Sequence, residues 1–303
     1  MGIGATVYCQ RIIVIQLGLS LPKTMKSAVS NRLRRVEGKH NALVKQLRMA
    51  FARGEVTPSG ACAIEGLRIV EEAIRSGLRF EALFFSEGGR NKAERLLPQV
   101  GAHVETLLLP DKLFLNAVRS ETPQGVAALV RLKEHDPKDV VARAEAGILI
   151  AVAGMQDPGN LGTILRSAEA FGGGGILIGE NTVSHLNPKV VRASAGSLFR
   201  LPIAPTRLLE MLPELRANGI RLLATSSHKG TPVSDADLKD RVAVFIGSEG
   251  SGLSRELMST MDEVIVIPHA TKVESLNAGV AASIVLYEAS RQRATPGGES
   301  DAN

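Results

Sequence analysis

The stretch "DPGNLGTILRSAEAFG", running from Asp157 to Gly172, reads as a turn followed by a buried helix. Gly159 and Asn160 are expected to make the turn. Leu161, Ile164, Leu165 and Ala168 then fall at the spacing of one apolar helix face, and Gly172 supplies the stop. Arg166 breaks this pattern: a cation stands in the middle of a core helix, six residues after an asparagine at its mouth. The strand-like run "GILIAVA" precedes the stretch and "GILIG" follows it, so the unit is β-turn-α-β.

Working outward, the same alternation continues to the end of the chain. Helix "PKVVRASAGS", strand "RLPIA" and helix "TRLLEMLPELRANG" follow, then strands "IRLLATS", "VAVFIG" and "EVIVIP" and a long closing helix, "ESLNAGVAASIVLYEASRQR". These strands are continuous apolar runs, as a parallel sheet covered on both faces requires. Upstream, "RLRRVEGKHNALVKQLRMAFARG" reads as a basic helical stretch, and the segments from "ACAIEG" to "GVAALVRL" form a smaller α/β unit ending near Leu132. The expected organisation is an uncertain leader over 1–28, a first domain over 29–132, a charged Pro-containing linker over 133–144, a second domain over 145–294, and a tail over 295–303.

Composition narrows the function classes. A chain of 303 residues with 44% hydrophobic and 22% charged residues has the make-up of a soluble two-domain protein. With no Trp, two Tyr and eight Phe, recognition of bases by stacking on exposed rings is disfavoured. Charge is unevenly spread. Residues 1–138 hold 21 Lys/Arg against 13 Asp/Glu, a net +8, and the rest hold 15 against 18, a net −3. Lys23 to Arg53 alone carries nine cations and one anion, which suits either a polyanion partner or a solvated helix face. Cys9 and Cys62 offer neither a disulfide framework nor metal spacing, so a reducing cytoplasm fits, and the six scattered histidines form no metal motif. At the N-terminus, Ile12 to Leu21 is too short to span a membrane. "MGIGAT" fits a myristoylation pattern, but the simplest reading starts translation at Met25.

Glycine-rich loops at strand ends invite a nucleotide reading, which fails on inspection. "FGGGGILIG" leads from helix to strand, the reverse of a dinucleotide fingerprint, and "GSEGSGLS" has Leu253 where a P-loop needs Lys. What remains is three loops, "GMQDPGNLG", "IGSEGSGL" and "IPHATKVESLN", each beyond the carboxyl end of an apolar strand. That is where open α/β sheets bind ligands.

On these loops the chain resembles the SpoU/TrmH branch of the SPOUT RNA methyltransferases. "DPGNLGTILRSAEAFG", "FIGSEGSGLS" and "IPHATKVESLNAGVAASI" are similar to the three ordered motifs of that family, and "NPKVVRASAGSLFRLPI" to its rRNA-modifying members. "NALVKQL", "AIEGLRIVEEA" and "SETPQGVAAL" look like its ribosomal-protein-like substrate-binding domain. The resemblance covers roughly Asn31 to Arg293. It implies an α/β fold with a trefoil-knotted, parallel-sheet C-terminal domain and a smaller N-terminal α/β domain. It also implies bound S-adenosylmethionine, a homodimer, and 2′-O-ribose methylation of ribosomal RNA, with 23S rRNA first. A tRNA 2′-O-methyltransferase and a non-catalytic RNA-binding or ribosome-assembly relative are the alternatives. The expected enzyme is cytoplasmic, with neither a membrane nor a metal among its partners.

Residue by residue, the resemblance assigns catalytic positions to Asn160, Arg166, Glu249, Ser275 and Asn277. Thr225, Ser226, Gly247, Ile267 and Leu276 are assigned to the cofactor; packing is the plain alternative for Ile267 and Leu276, and a helix cap for Ser275. Arg34, Arg35, Lys39, Lys45 and Arg192 are the RNA candidates. In the family, the arginine matching Arg166 is held to activate the ribose hydroxyl. A guanidinium keeps its proton to above about pH 12, so charge stabilisation and a grip on the neighbouring phosphate are the better chemistry. The plain alternative for Arg166 is an ion pair with Glu169 or Glu249. Two departures stand out: His269-Ala270-Thr271 where the family has Met-x-Gly, and Ala278-Gly279 where larger or hydroxylated residues are common.

Overall fold

A computed structural model of the chain describes residues 32–270 and 272–294. The leader with Cys9 and Met25, the tail from Thr295, and Thr271 lie outside the described residues. The chain divides into two compact units after Leu132.

The first unit is a mixed five-stranded sheet. Its strands are β1 (Arg34–Arg35), β2 (Cys62–Glu65), β3 (Arg79–Ser86), β4 (Glu105–Leu109) and β5 (Val126–Arg131), in the order β1-β4-β3-β5-β2. β4 runs parallel to both neighbours, whereas β5 is antiparallel to β3 and β2. Helices α1 (Ala42–Arg53), α2 (Leu67–Arg75), α3 (Asn91–Leu96) and α4 (Asp111–Val118) connect them. Leu47 and Phe51 of α1, Phe114 of α4, and Phe84, Leu107 and Leu129 of the sheet share one core. Cys62 is buried in β2, and burial pushes its thiol up to about 12.

The basic stretch expected to be helical throughout is split. Arg34 and Arg35 form an edge strand, and α1 begins only at Ala42, where the Asn41 side chain accepts from the Leu43 N–H at 3.0 Å. An asparagine cap of this kind fixes a helix start more firmly than charge periodicity does.

The second unit is a seven-stranded, all-parallel sheet. It comprises β6 (Leu149–Val152), β7 (Gly175–Ile178), β8 (Ile203–Pro205), β9 (Arg221–Ser226), β10 (Thr231–Pro232), β11 (Val242–Ile246) and β12 (Glu263–Val266). The order is β10-β12-β9-β11-β6-β7-β8. β6, β7 and β11 are buried at every position, which explains their unbroken apolar runs. The helices are α5 (Pro137–Val141), α6 (Pro158–Ala170), α7 (Pro188–Ala193), α8 (Leu208–Ala217), α9 (Arg255–Met258) and α10 (Ala278–Arg293).

Several expectations are corrected here. Where the sequence suggests a linker over 133–144, α5 and a following turn of tight helix place Val140, Val141 and Ala144 in the core of the second unit. The expected turn at Gly159 and Asn160 is helical: Asp157 caps the N-terminus, accepting from the Gly159 N–H at 2.6 Å, and Pro158 takes the first helical position. The helix expected over "PKVVRASAGS" ends at Ala193, because Ala195 (φ 51°) and Gly196 (φ 97°) turn left-handed. α10 starts later than expected, at Ala278. Among the described residues, no helix is long and apolar enough to cross a membrane, and no cluster of three or more His, Cys, Asp or Glu could hold a metal ion.

Candidate active site

Strand order builds the site. β12, β9 and β11 are neighbours, so the loops leaving their carboxyl ends meet, and β6 lies on the far side of β11. Together these loops and the start of α10 enclose a cavity of about 420 Å³. That volume is in the usual range for small-molecule sites. Its apolar walls include Ile246, Ile265 and Ile267, and its polar ones Ser248 and Ser251, which bond to each other at 2.9 Å.

The loop after β11 is folded tightly on itself. Ser248 and Gly252 pair as an isolated bridge, and the Gly252 N–H donates to the Ser248 carbonyl at 3.0 Å. A Cβ on Gly247 would lie 2.1 Å from the Gly252 carbonyl carbon, so only glycine permits this closure.

All five residues assigned to the cofactor line the cavity: Thr225, Ser226, Gly247, Ile267 and Leu276. Two carry local bonds. Thr225 Oγ1 donates to the Phe245 carbonyl at 3.2 Å, tying β9 to β11, and Ser226 Oγ accepts from the His228 N–H at 3.4 Å. Of the catalytic candidates, Glu249 and Ser275 also line it. Asn160 lies in the first turn of α6, buried, and its Nδ2 donates to Glu249 Oε1, so the first loop is fastened to the second.

Asn277 is the N-cap of α10, accepting from the Val280 N–H at 3.1 Å, which removes that role from Ser275. Gly279 explains the small residues in the third motif. α10 packs on α6, and a Cβ at Gly279 would sit 3.1 Å from Thr163 Cβ and 3.3 Å from the Asn160 carbonyl. Ser167 and Ser283 bond across the same contact at 2.7 Å.

Arg166 is exposed on α6. Neither ion pair offered as its plain alternative forms. Glu169 is taken by Arg200, which donates to it from Nε and, at 2.9 Å, from Nη2, and this holds the Glu169 carboxyl below its ordinary range. Glu249 is taken by Asn160. Among the described residues, Arg166 keeps its donors uncommitted.

Sequence reasoning marked His269 as a departure without giving it a task. Its Nδ1 lies 2.7 Å from the Ile267 carbonyl and its Nε2 3.1 Å from that of Val273, so the ring pins the loop that carries Ile267. Ser227, Ser248 and Ser251 also line the cavity and were missed; the serine-rich "GSEGSGLS" was the signal for the last two.

The RNA candidates differ in their engagement. Arg34 pairs with Glu105 at 3.1 Å; Arg35 pairs with Glu37 at 3.1 Å and Glu87 at 2.8 Å. Lys39 and Lys45 are exposed in the first unit, and Arg192 is exposed on α7 in the second.

Comparisons with known proteins match this geometry. The model of the SpoU rRNA Methylase family matches residues 147–287, and that of the MRM3-like substrate binding domain matches residues 41–128. The 23S rRNA (guanosine(2553)-2′-O)-methyltransferase RlmP of Bacillus subtilis is 31% identical over 256 residues, spanning 84% of this chain and 98% of that protein. An AdoMet-bound rRNA methyltransferase from Sinorhizobium meliloti superposes with a TM-score of 0.74 at 27% identity, covering 87% of this chain and all (100%) of that one. The SpoU methyltransferase AviRb from Streptomyces viridochromogenes, in complex with AdoMet, gives a TM-score of 0.72 at 30% identity, covering 84% of this chain and 98% of that one. With both units matched in order and a relative 31% identical along nearly its whole length, the chain belongs to the SpoU rRNA methylase family.

Proposed function

We propose that the chain is an S-adenosylmethionine-dependent 2′-O-ribose methyltransferase acting on ribosomal RNA, with 23S rRNA the first substrate to examine. The observation that carries this reading is the meeting of the loops after β9, β11 and β12 on one cavity, to whose wall residue Glu249 the first motif is fastened by Asn160. The residues present suit the cofactor. Ile246, Ile265, Ile267 and Leu276 offer flat apolar contact to an adenine ring, while Thr225, Ser226 and the loop amides offer hydrogen bonds to polar groups. When bound, S-adenosylmethionine supplies an electrophilic methyl group.

The chain's own residues then have separable tasks. Arg166 has planar donors for the phosphate beside the target ribose and for negative charge growing on its 2′-oxygen. The hydroxyl proton leaves to phosphate or water, since the guanidinium holds its own. Glu249, engaged by Asn160, fixes the cavity wall. Ser275 lines the cavity and offers its hydroxyl to the ligand, and Asn277 caps the start of α10.

Homodimer formation and the trefoil knot belong to the same reading. Val280 and Tyr287, 46% and 55% exposed, lie seven residues apart on one face of α10, and Tyr287 meets Phe171, just beyond the C-terminal end of α6, edge-on at 5.6 Å. An apolar stripe of this kind suits a second copy. The return of α10 onto α6 supports the threading that a knot requires. A cytoplasmic location follows from where such an enzyme would meet its RNA.

The test is calorimetric titration with S-adenosylmethionine, followed by turnover on unmodified rRNA and tRNA. Binding with turnover on rRNA supports the proposal. Turnover on tRNA alone moves the substrate, and absence of both binding and turnover leaves an RNA-binding relative.

A further inference from the structure

The loop leaving β12 carries a ring whose bonds fix its charge. His269 lines the cavity, half-buried, and both of its nitrogens face backbone carbonyls. Nδ1 lies 2.7 Å from that of Ile267 and Nε2 3.1 Å from that of Val273. A carbonyl oxygen only accepts. A neutral imidazole has one N–H and one lone pair, so it satisfies one of these carbonyls and turns its lone pair on the other. Only the imidazolium, with an N–H on each nitrogen, makes both bonds at once.

The bridge sits where the third motif meets the cavity. Ile267 lies just before the bridged segment, Ser275 and Leu276 just after it, and all three line the cavity. Inside the segment the Val273 N–H donates to the Ala270 carbonyl at 2.9 Å. Between Pro268 and Leu276, among the described residues, this bond and the two from the ring are the only hydrogen bonds, so the ring is the main polar tie on that path. The charged groups around it come from three loops. Glu249 lines the cavity from the loop after β11, His228 and Lys229 stand exposed beyond the cavity-lining Ser227 after β9, and Lys272 and Glu274 are exposed on the segment itself. Among the described residues none of them pairs with the ring, and Glu249 is taken by Asn160. The helices that wall the cavity present Met258, Ala278, Ala281 and Val285, all uncharged.

We propose that His269, as the imidazolium, is a positioning residue that fixes the path from Ile267 to Leu276 and thereby couples S-adenosylmethionine binding to uptake of a proton from solvent. Holding this path for the ligand favours the charged ring. Binding is therefore tightest where the ring is protonated and weakens as pH rises and one of the two bonds is lost. The inference rests on the reading of this cavity as the S-adenosylmethionine site.

The test titrates the full-length wild type, His269→Met and His269→Gln with S-adenosylmethionine by calorimetry at about pH 5.5 and about pH 8.5, on either side of the range in which histidines change charge. The ligand's own amino group titrates at about 8, so the effect is read as the ratio of variant to wild-type Kd, in which that contribution cancels. One bond from a charged donor is about tenfold in affinity, so the ratio for His269→Met should be about tenfold larger at the low pH than at the high one. His269→Gln, whose amide donates at every pH, should restore part of the affinity at both. KM for the cofactor should carry the loss, with kcat at saturation moving by less than about twofold. In protein with isotope-labelled histidine, the ring signal that His269→Gln removes should move toward the imidazolium position on both nitrogens when ligand is added. A Kd ratio that is the same at both pH values, or a ring that settles into one neutral tautomer with ligand, in a chain that still binds S-adenosylmethionine and methylates rRNA, overturns the role of His269 alone. A wild-type chain that binds no S-adenosylmethionine at either pH overturns the proposed function and the role of His269 together.

Discussion

Asn160→Ala isolates the contact that joins the first loop to the second. Asn160 is 7% exposed and donates to the carboxylate of Glu249, whose outer side faces water. A hydrogen bond to a charged group contributes roughly 1.5–3 kcal/mol when shielded. Solvent on the Glu249 side cuts that to about 1 kcal/mol, in the manner of exposed ion pairs. Alanine leaves no orphaned donor, and Glu249 can turn to water, so no further penalty is expected. For a unit of this size, about 1 kcal/mol lowers Tm by about 2–4 °C. The same energy appears in ligand binding to the extent that the Gly247–Leu253 loop must be held closed, and about 1 kcal/mol is about fivefold in Kd. The assay is a double-mutant cycle with Glu249→Ala, read by thermal unfolding and by S-adenosylmethionine titration. The double variant should lose little more than either single one, giving a coupling energy near 1 kcal/mol. Additive losses, with coupling under about 0.3 kcal/mol in both readouts, would refute the idea that the bond holds the cavity wall.

Gly162→Ala places a methyl 2.3 Å from Ala193 Cβ, where α6 crosses α7. Chemical denaturation should show a loss of about 1–3 kcal/mol from overpacking despite the better helix former, and a stability gain would mean that the two helices can separate freely. Arg166→Lys and Arg166→Ala should leave Tm unchanged, because the side chain is exposed and unengaged, yet lower kcat by about tenfold or more through lost charge stabilisation; near-full turnover by the lysine variant would remove the planar, two-pronged role. Burial lowers His185 from 6.5 to about 4, so the unfolded chain binds this proton first as pH falls. Its contribution is therefore intact above about pH 6.5 and lost as pH falls through about 4, and His185→Gln should flatten the acid limb of a stability–pH curve over that interval, while an unchanged limb would show that the ring is freely solvated.

The second unit was legible in the sequence because a buried parallel strand leaves a distinctive trace. β6, β7 and β11 are buried at every residue, and each is an unbroken apolar run followed by a glycine or small-residue loop. Of the residues that line the cavity, Thr225 and Ser226 were legible from the end of their strand, whereas Gly247, Ile267 and Leu276 came from the resemblance of the motifs. Features set by side-chain partners were not legible. That Asn277 rather than Ser275 caps α10, and that Arg34 and Arg35 spend their charge on glutamates distant in sequence, depends on contacts no local pattern encodes. α5 read as a linker because its five residues begin with Pro137 and the charged Lys138 and Asp139; only the packing of Val140 and Val141 reveals a core element.

The most direct measurement is transfer of a labelled methyl group from S-adenosylmethionine to unmodified rRNA, followed by alkaline hydrolysis of the product, with Arg166→Ala run alongside. Methylation of a ribose 2′-oxygen blocks cleavage at that nucleotide. The label should therefore survive in an alkali-resistant dinucleotide with the wild-type chain and be nearly absent with the variant. Label released as alkali-sensitive mononucleotides, or incorporated equally by Arg166→Ala, would contradict 2′-O chemistry at this site.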